Sequence, residues 1–350
     1  MRLKILLIAF LISLIPSMCS SAVTYFVTSP GSGDKNGSDW ANAMDEAQFR
    51  AALSGATSAA GTMYFLGGDT TYTLGGAWGD NTIDGTVLEP IIIAGVTPLV
   101  AEPWPNNLCS GTSRPEILAG ANNFRLDLNW HIYGLQIETT DTEGLDLDSG
   151  QISGCSIYNS SGVAGRYAIY AFSAETYIFD NDLRSTNGFG ANIRTNSTFI
   201  FNYIHDSRDG IYVTLYTNLI GFNVFDTITE EAILAVENTL TIIYNTIYNA
   251  NEGIQIDEDE QFIIIRNNII DNCTSGIVGE AGKPGYNIIM DYNNYSNNVS
   301  DTVNISKGPN ATSYDPQFTD AAGGDFSPDA ESGVTSAAEV MKIPYGMGEQ

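Results

Sequence analysis

The chain has 350 residues, of which 43% are hydrophobic, so it is long enough to bury a large core. It carries 41 acidic and 14 basic residues, which gives a formal net charge of −27 at pH 7. This balance argues against nucleic acid as a partner, because phosphates require a basic surface. The cysteines show no close spacing, which argues against a disulfide framework and a zinc site.

The N-terminus has the layout of a secretory signal peptide. A basic start at Arg2 is followed by an apolar run over residues 5–15 and by small residues up to Ala22. We expect residues 1–22 to be removed and the protein to be secreted. A lipoprotein anchor on Cys19 is disfavoured, because Met18 occupies a position that prefers a small residue. No later segment is apolar enough over a sufficient length to span a membrane.

A short helix is predicted soon after the mature N-terminus. Ser38 and Asp39 are suitable N-cap residues. The following residues recur at helical spacing on one face: Trp40, Met44, Ala47 and Ala51. We expect this helix to cap the N-terminal end of the repeat that follows, because a stacked repeat exposes its core at both ends.

A three-residue phrase then recurs over residues 135–297: Asn, any residue, then an apolar residue. Five copies step by 21, 21, 22 and 22 residues and begin at Asn181, Asn202, Asn223, Asn245 and Asn267. Looser copies begin at Leu135, Cys155 and Asn293. A period of this length is typical of stacked repeats.

Short apolar strands flank each phrase, as at residues 242–244 before one copy and 253–256 after it. Such a repeat is too short for a βαβ crossover and predicts an all-β parallel β-helix, a solenoid in which each coil stacks on the next. The recurring Asn is predicted to form a structural ladder of amides from coil to coil.

The coil rhythm stops after Tyr295. We expect the β-helix domain, with its N-terminal cap, to span residues 23–318. Residues 319–350 are rich in Gly, Ser, Asp and Ala and have weak periodicity, so they are predicted to form an irregular tail.

With these features the chain resembles the right-handed parallel β-helix proteins of the pectate-lyase-like superfamily. The resemblance rests on the Asn coils and on residues 24–27, 37–40, 315–318 and 324–326. It implies a right-handed coil over most of the mature chain. The superfamily includes polysaccharide lyases, polygalacturonases, epimerases, adhesins and surface proteins of unknown role, so the activity stays open.

The repeat also aligns residues that are far apart in sequence. Coils stack about 4.8 Å apart, so equal positions in successive coils form columns. Three residues after the repeat position, outside the core, come Arg184, His205 and Asp226. Just before the next strand come Asp209, Glu231 and Glu252. Both columns border the turn at residues 206–208 and are predicted to share one cleft.

The acidic column is consistent with two arrangements. Three carboxylates about 5 Å apart repel one another unless a proton or a cation lies between them. Asp209, Glu231 and Glu252 are therefore candidate ligands for calcium. Alternatively, Arg208 forms an ion pair with Glu230 and the other acids are solvated.

A lyase acting on a uronic-acid polymer must neutralise the substrate carboxylate and remove the adjacent proton. Calcium on the acidic column would meet the first need, and His205 or Arg208 near the proton would meet the second. The predicted catalytic residues are His205, Arg208, Asp209 and Arg184. Aromatic faces can stack on sugar rings. The predicted substrate-binding residues are Tyr203, Tyr212 and Asp226.

We therefore expect a secreted carbohydrate-active protein that binds a polysaccharide and cleaves it as a lyase of uronic-acid polymers. Two alternatives stay open. A glycoside hydrolase would use two carboxylates about 5 Å apart for retention or about 6.5 to 9.5 Å apart for inversion, and members of the acidic column meet either spacing. A non-enzymatic surface or adhesive protein would use the coil as a rigid spacer.

Overall fold

The computed structural model describes residues 23–334, except for 30, 55–59, 69, 74–83, 87, 98–107, 110–112, 121–123, 141–143, 173–174, 195, 216, 237–238, 258–261, 283–286, 330–331 and 333. The predicted signal peptide, with Cys19, lies outside the described residues, as does the end of the predicted tail. No helix in the described part of the chain is long and apolar enough to cross a membrane.

Strands dominate the described residues. Numbered in chain order, they are β1 (Thr24–Val27), β2 (Met63–Gly67), β3 (Thr71–Thr73), β4 (Ile91–Val96), β5 (Glu116–Gly120), β6 (Phe124–Leu126), β7 (Trp130–Tyr133), β8 (Gln136–Thr139), β9 (Leu145–Leu147), β10 (Gly150–Ser153), β11 (Ser156–Asn159), β12 (Tyr167–Ala171), β13 (Thr176–Phe179), β14 (Asp182–Ser185), β15 (Phe189–Ile193), β16 (Thr198–Ile200), β17 (Tyr203–Ser207), β18 (Asp209–Thr214), β19 (Thr217–Gly221), β20 (Val224–Val236), β21 (Thr239–Ile243), β22 (Thr246–Asp257), β23 (Phe262–Arg266), β24 (Ile269–Asp271), β25 (Ser275–Gly279), β26 (Asn287–Asp291), β27 (Asn294–Ser296), β28 (Ser300–Val303), β29 (Phe318–Asp320) and β30 (Asp325–Pro328). The α-helix α1 spans Glu46–Ser54, and short 3-10 helices span Trp40–Asn42 and Ala321–Gly323.

The described strands form one 11-stranded and one 17-stranded parallel sheet, besides the antiparallel pair β29–β30. We call the 11-stranded sheet face one. The other sheet bends at left-handed residues such as Thr227 (φ 55°) and so provides two faces. Face two contains β3, β5, β8, β11, β14, β17, β24, β27 and the first parts of β20 and β22. Face three contains β6, β9, β12, β15, β18, β25, β28 and the second parts of β20 and β22. Each strand pairs with its equivalents in the coils before and after it, which is the parallel β-helix that the repeat predicts.

Alternation along the strands fills the interior with apolar side chains. On face two, one fully or almost fully buried column consists of Ile137, Ile157, Leu183, Ile204, Phe225, Ile247 and Ile270. These belong to a single core cluster that also receives side chains from the other two faces. Burial of about 25 cal/mol for each Å² of apolar surface makes this continuous column the main stabilising feature of the fold.

Helix α1 packs on the N-terminal coil, but its start and its buried face differ from the prediction. Asp39 caps the 3-10 helix, whereas α1 begins after Asp45. The Asp45 carboxylate accepts from the Gln48 backbone N–H, and the Gln48 side chain accepts from the Asp45 N–H. This capping box fixes the helix start. It turns Phe49, rather than the exposed Ala47, toward the core, where its ring centroid lies 5.3 Å from that of Tyr64.

The predicted asparagine ladder is confirmed. In successive coils the backbone N–H and the side-chain Nδ2 of one Asn both donate to the Oδ1 of the next, at 2.9 to 3.1 Å where Asn202 meets Asn223. Nδ2 also donates to a carbonyl of the preceding coil, such as that of Ile178. The bonded series is Asn181, Asn202, Asn223, Asn245, Asn268 and Asn293.

One predicted member of the ladder is wrong by one residue. The repeat position in the fifth copy is Asn268, and Asn267 precedes it with φ 57°. Every ladder residue follows a residue in the left-handed region, as Tyr244 precedes Asn245 and Gly154 precedes Cys155. Because Asn tolerates that conformation, an Asn-Asn pair fits either position from sequence alone.

The tail is partly regular. Strands β29 and β30 form an antiparallel hairpin around the Ala321–Gly323 turn. The side chain of Phe326 is only 3% exposed and packs with Phe318 at 5.4 Å between ring centroids. Residues 319–328 are therefore ordered, although their sequence predicts irregular structure, because two aromatic side chains anchor an otherwise Gly- and Asp-rich segment.

Candidate functional site

The register places the first predicted column on the outer surface of face two. Tyr158 pairs with Arg184, and His205 pairs with Asp226. Strands β14 and β17 align so that Arg184 and His205 are neighbours. The four side chains follow one another along the helix axis, in the phase that the repeat predicts.

His205 is held between two carboxylates. Its Nε2 lies 2.8 Å from Oδ1 of Asp182, and its Nδ1 lies 2.8 Å from Oδ2 of Asp206. The ring of Tyr203 stacks on it with 4.5 Å between centroids. Burial alone would lower the pKa of His205, but the two carboxylates outweigh burial and raise that pKa. The two carboxylates therefore favour the imidazolium, the form in which both nitrogens donate, and this form cannot act as a base.

Arg184 lies over an aromatic ring beside this histidine. Its guanidinium carbon is 3.9 Å from the ring centroid of Tyr158, which is a cation–π contact. Within the described part of the chain no carboxylate pairs with this guanidinium. An open pocket of about 120 Å³ is lined by Ser156, Ile157, Tyr158, Asp182, Arg184 and His205. It presents a guanidinium to solvent next to the Asp182–His205 ion pair.

Tyr203 and Asp226 are bonded to each other. The Tyr203 hydroxyl donates to Oδ2 of Asp226 at 2.9 Å, and Thr227 donates to Oδ1 at 2.9 Å. Burial, followed by the charge of Asp226, raises the pKa of Tyr203, and burial also raises the pKa of Asp226. A protonated phenol committed to Asp226 supports the stacked imidazole of His205 and is a poor base.

The acidic column lies beyond the bend, at the start of face three. Glu231 pairs with Glu252, and the register of β18 with β20 puts Asp209 one coil before Glu231. The Asp209 side chain is fully buried, and neither of its oxygens has a hydrogen-bond partner among the described residues. Burial, followed by the Glu231 carboxylate, raises the pKa of Asp209 to about 7, against an opposing effect of Arg208. Asp209 therefore holds its proton to a higher pH than an ordinary carboxyl.

Arg208 pairs differently from the predicted alternative. Its Nε lies 3.5 Å from Oδ2 of Asp209, and Glu230 is exposed and forms no ion pair with it. Across the described ranges, no three His, Cys, Asp or Glu side chains are arranged to hold a metal ion. The calcium site on Asp209, Glu231 and Glu252 therefore stays a prediction.

The predicted site residues fall into separate groups. Arg184, Tyr203, His205 and Asp226 lie together on face two, whereas the acidic column and Arg208 lie beyond the bend. Tyr212 lies on face three, where its ring centroid is 5.5 Å from that of Phe189, and it does not line the pocket. The pocket is lined from face two, and the acidic column does not line it, so a cleft shared by the two columns stays a prediction.

Five residues of the pocket region were absent from the predicted site: Ser156, Ile157, Tyr158, Asp182 and Asp206. The repeat contained the signal for two of them. Asp182 is the middle residue of the phrase that begins at Asn181, and Tyr158 stands three residues after Cys155. Extending the column into the looser copy would have placed Tyr158 next to Arg184.

The comparisons with known proteins agree with the fold. The sequence profile described as a right handed beta helix region matches residues 134–318. No curated protein matches the chain in sequence. The PL6 family polysaccharide lyase Pedsa3628 from Pseudopedobacter saltans is similar in structure, with a TM-score of 0.54 and 13% identity over 77% of this chain and 78% of that chain.

Two further solved structures are similar at lower scores. Pectate lyase Pel9A has a TM-score of 0.49 and 13% identity over 85% of this chain and 83% of that chain. An alginate lyase from Paenibacillus sp. str. FPU-7 has a TM-score of 0.43 and 15% identity over 77% and 95%. Identities this low concern the fold alone. The profile match over more than half of the sequence shows that the chain belongs to the right-handed β-helix family, and its sheets form a parallel β-helix.

Proposed function

We propose that this protein is carbohydrate-active and binds a polysaccharide of uronic-acid type on face two. The observation that carries the proposal is Arg184, stacked on Tyr158 and without a carboxylate partner among the described residues. A guanidinium binds a carboxylate through two parallel hydrogen bonds, and the tyrosine ring below the guanidinium fixes the orientation of its plane. Because the chain as a whole is strongly acidic, a polyanion needs such a local cationic site.

Binding is better supported than cleavage at this pocket. Elimination from a uronic acid requires a group that accepts the proton next to the carboxylate. Both His205 nitrogens face carboxylates, which favours its protonated form, and the Tyr203 hydroxyl donates its proton to a hydrogen bond with Asp226. An ultraviolet assay for unsaturated uronates would show whether a lyase activity accompanies binding.

The direct test is Arg184→Ala with polygalacturonate and alginate as ligands. We expect roughly tenfold to hundredfold weaker binding by isothermal titration calorimetry, because a charged hydrogen-bonded pair is lost. Arg266→Ala is the matched control, since Arg266 also lies over a tyrosine ring, 6.0 Å from the centroid of Tyr292, but on face one. Equal affinities of the two variants would contradict the proposal.

Glycoside hydrolysis is a second candidate, favoured by one observation. Asp209 keeps a proton close to neutral pH beside the Glu231 carboxylate, and a protonated carboxyl next to an ionised one is the pair that glycosidases use. Asp209 is fully buried, so Glu231 or Glu252 would have to contact the sugar. Release of new reducing ends that is lost in Glu231→Gln would favour this candidate.

Calcium on the acidic column is a separate proposal. Both Asp209 oxygens and Oε2 of Glu252 lack hydrogen-bond partners among the described residues, and carboxylate oxygens are the ligands that calcium prefers. We expect added calcium to raise the thermal midpoint of the wild type at pH 8 and to raise that of Glu231→Gln less, by mass action. Glu230→Gln, in the exposed neighbour, is the control. An equal response of all three proteins would rule this site out.

A further inference from the structure

The outer surface of face two changes character halfway along the helix. Equivalent outward positions are partly exposed in the earlier coils, at Gln136, Ser156, Asp182 and Tyr203. In the later coils they are buried: Val224 is 0% exposed, Thr246 5%, Ile269 1% and Asn294 1%. These later residues do not belong to the interior cluster, so they are covered from outside.

The cover is the segment that follows the last coil, which we call the C-terminal arm (residues 310–328). Tyr314 exchanges backbone hydrogen bonds of 2.8 and 2.9 Å with the Asn294 side chain. Phe326 then lies 5.5 Å from Tyr248 and 6.4 Å from Tyr203 between ring centroids. The arm therefore runs back along face two, from its last strands to the coil of Tyr203.

The arm ends beside the pocket. A Cβ placed on Gly324 would lie 3.8 Å from the Tyr203 hydroxyl oxygen, and the Tyr203 ring stacks on His205, which lines the pocket. On the other side, the outward side chains of Arg184 and Tyr158 are partly exposed, and no described segment covers them. A polymer lying along the helix axis thus has room on one side of the pocket and meets the arm on the other.

We propose that the C-terminal arm is an end stop, so that the pocket accepts the terminal unit of a uronic-acid chain and excludes internal segments. The inference rests on the proposed function. Charge supports it, because residues 310–328 contain Asp315, Asp320 and Asp325 and no basic residue. An anionic chain is therefore attracted to Arg184 and repelled beyond it.

The test compares long chains of polygalacturonate and alginate with fragments of the same polymers about tenfold shorter. Fragments about tenfold shorter carry about tenfold more chain ends in the same mass of sugar. A site that accepts only chain ends should therefore make the wild-type protein bind the fragments about tenfold better per mass of sugar. In the double variant Phe318→Ala, Phe326→Ala, long chains should bind as well as fragments. Phe262→Ala, which removes an exposed phenylalanine on face one, should keep the wild-type length dependence.

The outcomes separate the two proposals. Wild-type binding that is independent of length per mass of sugar, yet weakened by Arg184→Ala, would overturn the end stop and leave the proposed function standing. Failure to bind either polymer would overturn both. Circular dichroism and a thermal melt show whether the double variant is folded. If it is not, the length dependence of wild-type binding by itself tests the end stop.

Discussion

Replacing Asn223 by Ala should destabilise the protein by about 3 kcal/mol, because it interrupts the ladder at its centre. Asn223 is fully buried, and its Nδ2 donates to the Phe199 carbonyl and to Oδ1 of Asn245. Its Oδ1 accepts the backbone and side-chain N–H groups of Asn202. Alanine leaves these buried groups without partners and without access to water. The midpoint of urea unfolding, followed by circular dichroism, measures the effect.

The control for this experiment is Asn251→Ala. Asn251 lies in β22, is only partly buried, and its side chain makes no hydrogen bond within the described residues. We expect its midpoint to stay within experimental error of the wild type. Because stacked coils can unfold in parts, coincident transitions of two probes should be checked before a free energy is calculated. A wild-type midpoint for Asn223→Ala would show that the ladder does not stabilise the coil.

Replacing Asp209 by Asn should stabilise the protein at pH 8, by about 2 to 4 kcal/mol. The pKa of Asp209 is raised from 3.8 to about 7, so the folded chain retains a proton that the unfolded chain has already lost between these values. Wild-type stability contributed by this group is therefore present below pH 4 and falls as the pH rises toward 7. Above that it stays at its lower level. Asparagine has nearly the same shape and no charge to bury.

Thermal midpoints between pH 4 and 9, in the presence of a chelator, measure this difference. The curves of the wild type and Asp209→Asn should diverge as the pH rises from 4 to 7 and run parallel above it. Asp34→Asn, at an exposed carboxylate of the N-terminal segment, should follow the wild type throughout. Parallel curves over the whole range would mean that Asp209 titrates as an ordinary carboxylate.

The periodic sequence predicts the coil because a single repeat spacing accounts for the positions of the strands, the buried apolar residues and the turns. Repeat steps and apolar alternation identify the buried column and the phase of Arg184, His205 and Asp226. Other features cannot be predicted where two neighbouring or nearby residues fit the same role. Asn267 and Asn268 are interchangeable in a motif, and only the backbone conformation separates them. Two acids precede the helical region, and the reciprocal bonds of Asp45 with Gln48 decide which one caps α1.

The sequence predicts which outward residues align along the helix axis, but it does not predict which side chains they contact. Alignment along the axis follows from the repeat, so Arg184 and His205 come together as expected. Contacts across a turn depend on side-chain rotamers, which the repeat does not specify. The contacts of Asp182 and Asp206 with His205 therefore could not be predicted, and the alternative that paired Arg208 with Glu230 differs from the observed pairing with Asp209.

The constant turn of the coil has a consequence for how such a chain changes length in evolution. From β7 onward, two residues separate face one from face two, a left-handed residue and the residue at the ladder position, as between Phe179 and Asp182 or Asp291 and Asn294. The other two turns vary instead: the turn from face two to face three has one residue after Ser207 and seven after Asn159, and the turn from face three to the next coil has two after Thr214 and seven after Gly279. Longer connections in this part of the coil thus lie at these two corners, where loops can change in length while the step from face one to face two stays the same.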